Sequence, residues 1–335
     1  MISVIIINYH CATLTIKSVQ SVQNENETTE IFVVDNSVNA EEALQLKHAL
    51  DDPVYLIINE RNTGFAHACN LAYQQCNGEF ILLLNPDAYM LKGCLTLLKN
   101  ALISLPKAGA VGPNVYWDDK QQFFLPPSLF PSPWLSLYHN IWKIHPLLHK
   151  LYSLYFRQKV LKIWQSKNNL IVPALSGGHI LLLRQAIESC HGLFDENFFM
   201  YYEDSDLILR LKKENYHLYQ VTQAKCVHHY QHTENKVQLM NDSAHYYFQK
   251  HYSQHFLNKI NSWLHWKPAK FSTDQFIILP ASHYFPHLKI PKKLKYQWLL
   301  EISPSPFFIP AIGLLSNNSI SYLSNPCLNL SIKPV

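Results

Sequence analysis

Phe80-Ile81-Leu82-Leu83-Leu84-Asn85-Pro86-Asp87-Ala88 is the stretch on which the fold turns. Five apolar residues in a row suit a strand buried on both faces of a parallel sheet. Pro86 has no N–H to give, so the ladder stops there. Asp87 therefore stands at the carboxyl end of a central strand, the edge where open α/β sheets bind ligands. A carboxylate at that edge can hold a hard cation, and the cation can hold a diphosphate. The other reading is a turn aspartate that only ends the strand.

Outward from this stretch, strand and helix signals alternate. Strands are expected over residues 3–7, 30–34, 54–58 and 109–115. Helices are expected over 13–22, with Thr13 as cap, and over 40–50, 64–75 and 91–105. Such alternation means βαβ units and a parallel sheet covered on both faces. Regular structure resumes over 174–183, with a Ser176-Gly177-Gly178 kink. Phe198-Phe199-Met200-Tyr201-Tyr202-Glu203-Asp204-Ser205-Asp206 leads into a helix over 207–214. Lys212 and Lys213 suit its last turn, and Asn215 can take the left-handed stop position. Strand signals follow over 217–221 and on to His228, then a helix over 242–264.

The totals agree with a folded enzyme-sized chain. With 335 residues, 48% hydrophobic and only 16% charged, a large core is available and disorder is not the default. A net charge of +4 is too mild to argue for nucleic acid. The seven cysteines are scattered, odd in number and without metal or redox spacing, which fits buried thiols in a reducing, cytoplasmic setting. The first residues read as a strand rather than a signal peptide. No apolar run nears the ~20 residues that span a bilayer. A membrane, if a partner, would be met at its surface.

The middle of the chain differs. No Asp or Glu occurs between Asp119 and Glu188, while Lys143, Lys150, Arg157, Lys159, Lys162 and Lys167 do. Trp134, Tyr138, Trp142, Leu151, Tyr155 and Trp164 are interleaved with them. Two readings fit: a membrane-surface segment, or a helical insertion packed on its own domain with lysines in water. From Pro268 the chain turns rich in Pro and aromatics. The expected organisation is a domain over 1–265, with an insertion at about 128–168, and a small irregular or β-rich appendage over 266–335.

Four strand ends carry polar groups that could converge. Asp35-Asn36 could accept from a nucleobase imide or ribose hydroxyl, or form a local Asx turn. Arg61-Asn62-Thr63-Gly64-Phe65-Ala66, with Asn70 beyond, offers close backbone approach and helix-start N–H groups. It has neither dinucleotide nor Walker A spacing. Asp87 is the third group. Glu203-Asp204-Ser205-Asp206 is the fourth, and burial beside aromatics would raise a carboxylate there toward general-base range. Acidic residues also suit a helix start for structural reasons alone. His228 offers an imidazole to a metal, although any one of 18 histidines is more often structural.

Taken in order, these residues resemble family 2 glycosyltransferases of the GT-A fold, closest to bacterial rhamnosyltransferase-like members. The pieces are Val4-Ile5-Ile6-Ile7-Asn8-Tyr9, Val33-Val34-Asp35-Asn36-Ser37, Asn62-Thr63-Gly64-Phe65-Ala66 with Asn70, Leu83-Leu84-Asn85-Pro86-Asp87-Ala88, and Phe194-Asp195-Glu196 through Leu207 with Arg210. His228 follows at the expected offset. The resemblance runs from Ile2 to about Thr233.

It implies an α/β fold with a mostly parallel central sheet, helices on both faces, and an inverting, metal-dependent sugar transfer. Asp204 would be the catalytic base. Asn8, Asp35, Asn36, Asn62, Gly64, Phe65, Asn70 and Asn85 would face a nucleotide-sugar donor. Asp87 and His228 would hold Mg2+ or Mn2+, and Asn85 stands where the family's metal motif often has a first carboxylate. Gly177, Gly178, Glu203 and Asp206 would lie on the acceptor side. The implied donor is dTDP-rhamnose, with a UDP-hexose as alternative. The implied acceptor is a glycan or lipid-linked saccharide at the inner face of a bacterial membrane. Ala72, Asn215 and Gln223 depart from the family's usual Gly, Gly and Pro, and none of them is a proposed catalytic group. Nucleotidyl transfer ranks lower, because Asn8-Tyr9-His10-Cys11 lacks the Gly and Lys of a triphosphate loop. A non-catalytic nucleotide-sugar binder is the third reading.

Overall fold

In the computed structural model the described residues are 1–50, 53–144, 146–229, 236–265, 298–302 and 311–316. The chain opens with β1 (Ile2–Asn8), α1 (Ala12–Gln23), β2 (Thr29–Asp35), α2 (Ala40–Ala49), β3 (Val54–Ile58) and α3 (Phe65–Tyr73). It continues through β4 (Phe80–Leu84), β5 (Ala88–Met90), α4 (Cys94–Ser104) and β6 (Ala108–Tyr116). Two helices follow, α5 (Pro133–Ile144) and α6 (Pro146–Trp164), then β7 (Leu170–Ile171), β8 (His179–Leu183), α7 (Arg184–Ser189), α8 (Glu203–Lys213) and β9 (His217–His228). Last come α9 (Lys236–Tyr252), α10 (Leu257–His265), β10 (Trp298–Ile302) and β11 (Ile312–Ser316).

Nine strands form one sheet in the order β3-β2-β1-β4-β8-β6-β9-β5, with β7 beside β9. β3, β2, β1 and β4 run parallel, as the alternating signals predict. β8 then enters antiparallel to both β4 and β6, which the alternation did not foretell. Its direction matters, because an antiparallel neighbour brings its amino end beside the carboxyl end of β4. Leu84 pairs with His179, so the Gly177-Gly178 turn lies against Asn85.

The core sits on both faces of this sheet. On β1, Ile5 and Ile7 belong to one apolar cluster, and Ile2, Val4 and Ile6 to the other. On β4, Ile81 and Leu83 face the first, and Phe80, Leu82 and Leu84 the second. All five β4 residues are buried. Each such side chain contributes about 1.5–3 kcal/mol by leaving water, which is why an unbroken apolar run holds the centre of the sheet.

Several local expectations change. Thr13 does not cap α1. The helix starts at Ala12, whose N–H donates to Glu42 Oε2 at 2.9 Å, so a carboxylate from α2 supplies the cap. α8 begins at Glu203 rather than 207, which puts the acidic cluster in its first turn. Asn215 does take the left-handed position, with φ of 61°. The helix expected over 242–264 is two helices, α9 and α10, with a break between them. The insertion is helical, and the buried Trp164 on α6 packs against Gly313 of β11. Strands β10 and β11 form an antiparallel pair within the expected appendage, most of which lies outside the described residues. No helix among the described residues is long and apolar enough to cross a membrane.

Candidate active site at the carboxyl edge of the sheet

The ends of β1 and β2 are tied together by one amide. Asn8 and Asp35 are register partners. Asn8 Nδ2 donates to Asp35 Oδ1 (2.9 Å), Ser37 Oγ (3.0 Å) and Glu42 Oε2 (3.0 Å), and its Oδ1 accepts from Thr15 Oγ1 (2.7 Å). Fully buried and fully bonded, Asn8 holds the strand ends rather than facing a ligand. Asp35 keeps something in reserve: its Oδ2 is buried without a hydrogen-bond partner among the described residues. Leaving such an acceptor unmet costs about 1–3 kcal/mol, and a donor group on a ligand would remove that cost.

Asn36 organises the next loop. Its Oδ1 accepts from Asn59 Nδ2 at 2.7 Å, and its Nδ2 donates to Asn62 Oδ1 (3.2 Å) and the Gly64 carbonyl (3.1 Å). Beside that loop a polar groove is lined by Ile58, Asn59, Glu60, Arg61, Thr63 and His67. Gly64 has φ of 82°, and a Cβ there would lie 2.5 Å from the Phe199 carbonyl. The following N–H, from Phe65, donates to that same carbonyl at 2.7 Å. Glycine thus lets the loop before α3 touch the segment leading into α8. Asn70 does not reach the site edge. It bridges the Phe194 N–H (3.1 Å), the Phe194 carbonyl (2.9 Å) and Glu196 (3.0 Å), anchoring the approach to α8.

The centre is a chain of contacts from β4 to α8. Asp87 Oδ1 lies 3.1 Å from His228 Nε2, because Ala88 on β5 pairs with His228 on β9. Asn85 N–H donates to the Gly178 carbonyl at 2.8 Å, and a Cβ on Gly178 would strike the Asn85 amide at 2.7 Å. Next along the turn, Gly177 N–H donates to Asp204 Oδ2 at 3.1 Å. A Cβ on Gly177 would stand 3.0 Å from the Asp204 Cβ. A side chain at position 178 would therefore force the Asn85 amide to shift, and one at position 177 would need Asp204 to give by a few tenths of an ångström.

Asp204 and Glu203 share a dry corner. Burial raises the Asp204 carboxyl above its ordinary value, against the opposing hydrogen bonds from the Gly177 and Ser205 N–H groups. Burial, then the neighbouring Asp204, lifts Glu203 to about 8. Glu203 Oε2 has no hydrogen-bond partner among the described residues. The approach is strained: Tyr201 and Tyr202 carry φ of 72° and 66°, positions that cost non-glycine residues of order 1–3 kcal/mol each. The Ser243 hydroxyl donates to the Met200 carbonyl at 2.8 Å, and Tyr202 packs against the Tyr247 ring at 5.4 Å; these contacts hold the segment in place.

Asp206 does not join the acceptor side. Two residues on a helix lie about 200° apart, so Asp206 points inward. It meets Arg210 (2.8 Å), Lys250 (2.7 Å) and His251 (2.7 Å), and is fully buried. Burial alone would raise its carboxyl, but Lys250, Arg210 and His251 outweigh it and hold it below the usual range.

A divalent cation fits Asp87 and His228. Two ligands at right angles on a cation with bonds of ~2.1 Å stand about 3 Å apart, close to the separation seen. Among the described residues no three Asp, Glu, His or Cys side chains converge on one point. The remaining positions would fall to donor phosphates and water. His179 opens β8. It lies with its ring centre 5.6 Å from that of His228, and burial, then His228 itself, pushes its pKa down to about 3.

The family profile described as "Glycosyl transferase family 2" matches residues 3–164. An N-acetylglucosaminyl-diphospho-decaprenol L-rhamnosyltransferase of Mycobacterium tuberculosis is 29% identical over 211 residues, 58% of this chain and 64% of that protein. The low-salt glycan biosynthesis hexosyltransferase Agl10 of Haloferax volcanii is 23% identical over 68% of this chain and 66% of its own length. The chain thus spans just under two thirds of the curated relatives it matches. Among solved structures, a mannosyltransferase of Pyrobaculum calidifontis in complex with GDP-Man and Mn2+ is similar with a TM-score of 0.48 at 17% identity, over 70% of this chain and 58% of that one. That likeness is too loose to carry an assignment.

Proposed function

We propose, from the match of residues 3–164 to the glycosyl transferase family 2 profile, that this chain transfers a sugar from a nucleoside-diphosphate donor to an acceptor hydroxyl, with inversion. The observation that carries this reading is the unbroken contact chain from Asp87 and His228, through Asn85 and the Gly177-Gly178 turn, to Asp204. It joins a cation-holding end to a raised carboxylate. Asp204 takes the proton of the acceptor hydroxyl as its oxygen bonds to the anomeric carbon. The bond from that carbon to the diphosphate breaks, and its electron pair leaves with the nucleoside diphosphate. One displacement inverts the centre. A bound Mg2+ or Mn2+ would offset the charge gathering on the leaving group. Asp35 Oδ2 and the groove around Arg61 are the donor's nucleoside contacts. Asn8, Asn36 and Asn70 act as positioning residues behind them.

The donor sugar is rhamnose from dTDP-rhamnose, a choice supported by the printed activity of the mycobacterial relative. A UDP-hexose is the alternative. The acceptor is a glycan or lipid-linked saccharide, which assigns the chain to surface-polysaccharide or lipopolysaccharide synthesis. Incubation with a panel of nucleotide sugars, followed by NMR of the product anomer, tests the reading. Transfer with inversion, abolished by EDTA, is expected. Donor binding without turnover would favour a non-catalytic binder, and retained configuration would remove Asp204 from the base role.

The helical insertion meets an anionic bilayer surface in this reading. Leu147, Leu148, Leu151, Leu154 and Tyr155 are 43–59% exposed and share one stripe of α6. Trp134 and Tyr138 on α5 are exposed as well. Lys150, Lys159 and Lys162 stand exposed along the same helix. An apolar stripe with lysines beside it suits a lipid headgroup layer, with about 1 kcal/mol per lysine near the surface. Co-sedimentation with vesicles containing phosphatidylglycerol should be lost when Leu147, Leu151 and Tyr155 are all changed to serine. Equal binding by both forms would refute it.

A further inference from the structure

Lys236 is the first residue of α9, half-buried, and has no role in the transfer chemistry above. Local helix energetics disfavour a lysine there. A helix start repels cations, which belong in the last turn, and burial pushes the ammonium below its ordinary value. The Asp87 carboxylate opposes that burial and favours the charged form. Other contacts of the same helix fix its placement. The Ser243 hydroxyl donates to the Met200 carbonyl at 2.8 Å, and the Tyr247 ring packs against Tyr202 at 5.4 Å. α9 is thus seated on the strained approach to α8. Lys236 Nζ lies 5.9 Å from the centre of the Tyr201 ring, at the outer limit of a cation–π contact. One ammonium is therefore shared by the two ends of the site. The Asp87 charge acts on it, and the ring beside it precedes Asp204 by three residues.

A nucleoside diphosphate brings several negative charges to an edge that already holds Asp35, Asp87 and Asp204. Like charges so close repel, so the ligand needs positive charge facing it, and needs more as charge gathers on the leaving group. We propose that Lys236 binds the β-phosphate of the donor: its ammonium donates to a phosphate oxygen of the bound nucleotide sugar and stays on it as the nucleoside diphosphate leaves. The β-phosphate is the one that fits, because the breaking bond joins it to the anomeric carbon, between the Asp87 end and the Asp204 end. An ammonium suits the task as a compact charge with three donors on a flexible stem. This inference rests on the reading of this edge as a nucleotide-sugar donor site.

Isothermal titration of the purified full chain in buffer with Mn2+ tests it without reference to turnover. The probes are dTDP, UDP and GDP, each beside its monophosphate. Lys236→Met keeps the stem and removes the charge. It should weaken binding of the diphosphate that the parent takes by about 10–100-fold and leave the matching monophosphate at the parental affinity. Lys236→Arg should restore most of the loss, which a merely structural role would not predict. Unaltered diphosphate affinity, or an equal loss for monophosphate and diphosphate, would overturn the proposal. If ligand-free melting shows that the methionine variant does not fold, Lys236→Gln is judged by the same two criteria. The parent separates the two levels of the argument. A parent that binds none of the three diphosphates sinks the donor reading and this inference with it. A parent that binds one of them no better than Lys236→Met does sinks only this inference.

Discussion

The first turn of α8 sends two aspartates, two residues apart, into opposite surroundings. On one face Asp204 meets the Gly177-Gly178 turn, backbone N–H groups and the uncompensated Glu203. On the other Asp206 meets Arg210, Lys250 and His251. Both are drawn into the fold, and burial alone would raise both. Asp206 has two permanent cations to outweigh burial, and its carboxyl goes down. Asp204 has only dipoles, and its carboxyl goes up. The same residue type in the same turn is an ion-paired anchor in one case and a carboxyl raised by burial in the other, according to whether a cation faces it.

The comparison breaks most readily at Asp204. Asp204→Asn should lower kcat by about 10²–10⁴-fold, with a melting temperature near that of the parent, measured by calorimetry beside a transfer assay. Full activity would end the base assignment. Asp206→Asn should behave in the opposite sense. Removing one partner of a buried ion cluster costs about 3–5 kcal/mol, so stability should collapse, while turnover per folded molecule at low temperature stays close to normal.

Glu203 sharpens the contrast through pH. Its folded pKa, about 8, is raised above its ordinary value. The stability it contributes is therefore fully present below the unfolded carboxylate value of ~4.3 and is lost as pH rises through about 8. Glu203→Gln should remove this slope. Denaturation at pH 8.5 should find the variant more stable than the parent, by at least ~1 kcal/mol, with the gap closing near pH 4. A gap independent of pH would mean that Glu203 is not protonated in the fold. The smallest effect is expected at Gly177→Ala. Its new Cβ would meet the Asp204 Cβ at 3.0 Å, so Asp204 must move by a few tenths of an ångström. Turnover should fall by up to about tenfold, since misplacements of ~1 Å cost about 100-fold, with KM for the donor unchanged.

Much of this was legible in the linear sequence. The β4 run and its terminal Asp87 are readable because a short unbroken apolar run ended by a proline is a local signal. Asp35 at the end of β2, Gly64 before α3 and Asn215 after α8 could be read for the same reason: each answers to its own backbone. The functional roles of Asn8, Asn36 and Asn70 were not readable. All three have the chemistry to bind a donor, and only the structure shows their amides spent on Asp35, Asn59, Phe194 and their neighbours. The antiparallel entry of β8 was hidden as well. Direction in a sheet is a property of pairing between strands roughly 100 residues apart, not of either strand's composition.

By itself, the sequence determined that an apolar strand ends in Asp87, that acidic residues cluster at the start of α8, and that a basic, apolar helical segment interrupts the domain. Hydrophobic periodicity, proline and charge spacing act over a few residues, so no partner was needed to read them. The tertiary structure alone decided which of those acids is held down by cations and which is raised by burial. Asp204 and Asp206 differ only in what stands across from them: a glycine turn brought by β8, and a lysine and histidine brought by α9. The ionisation of a buried carboxylate is set by charges and dipoles a few ångströms away in space, and only folding brings those groups to it.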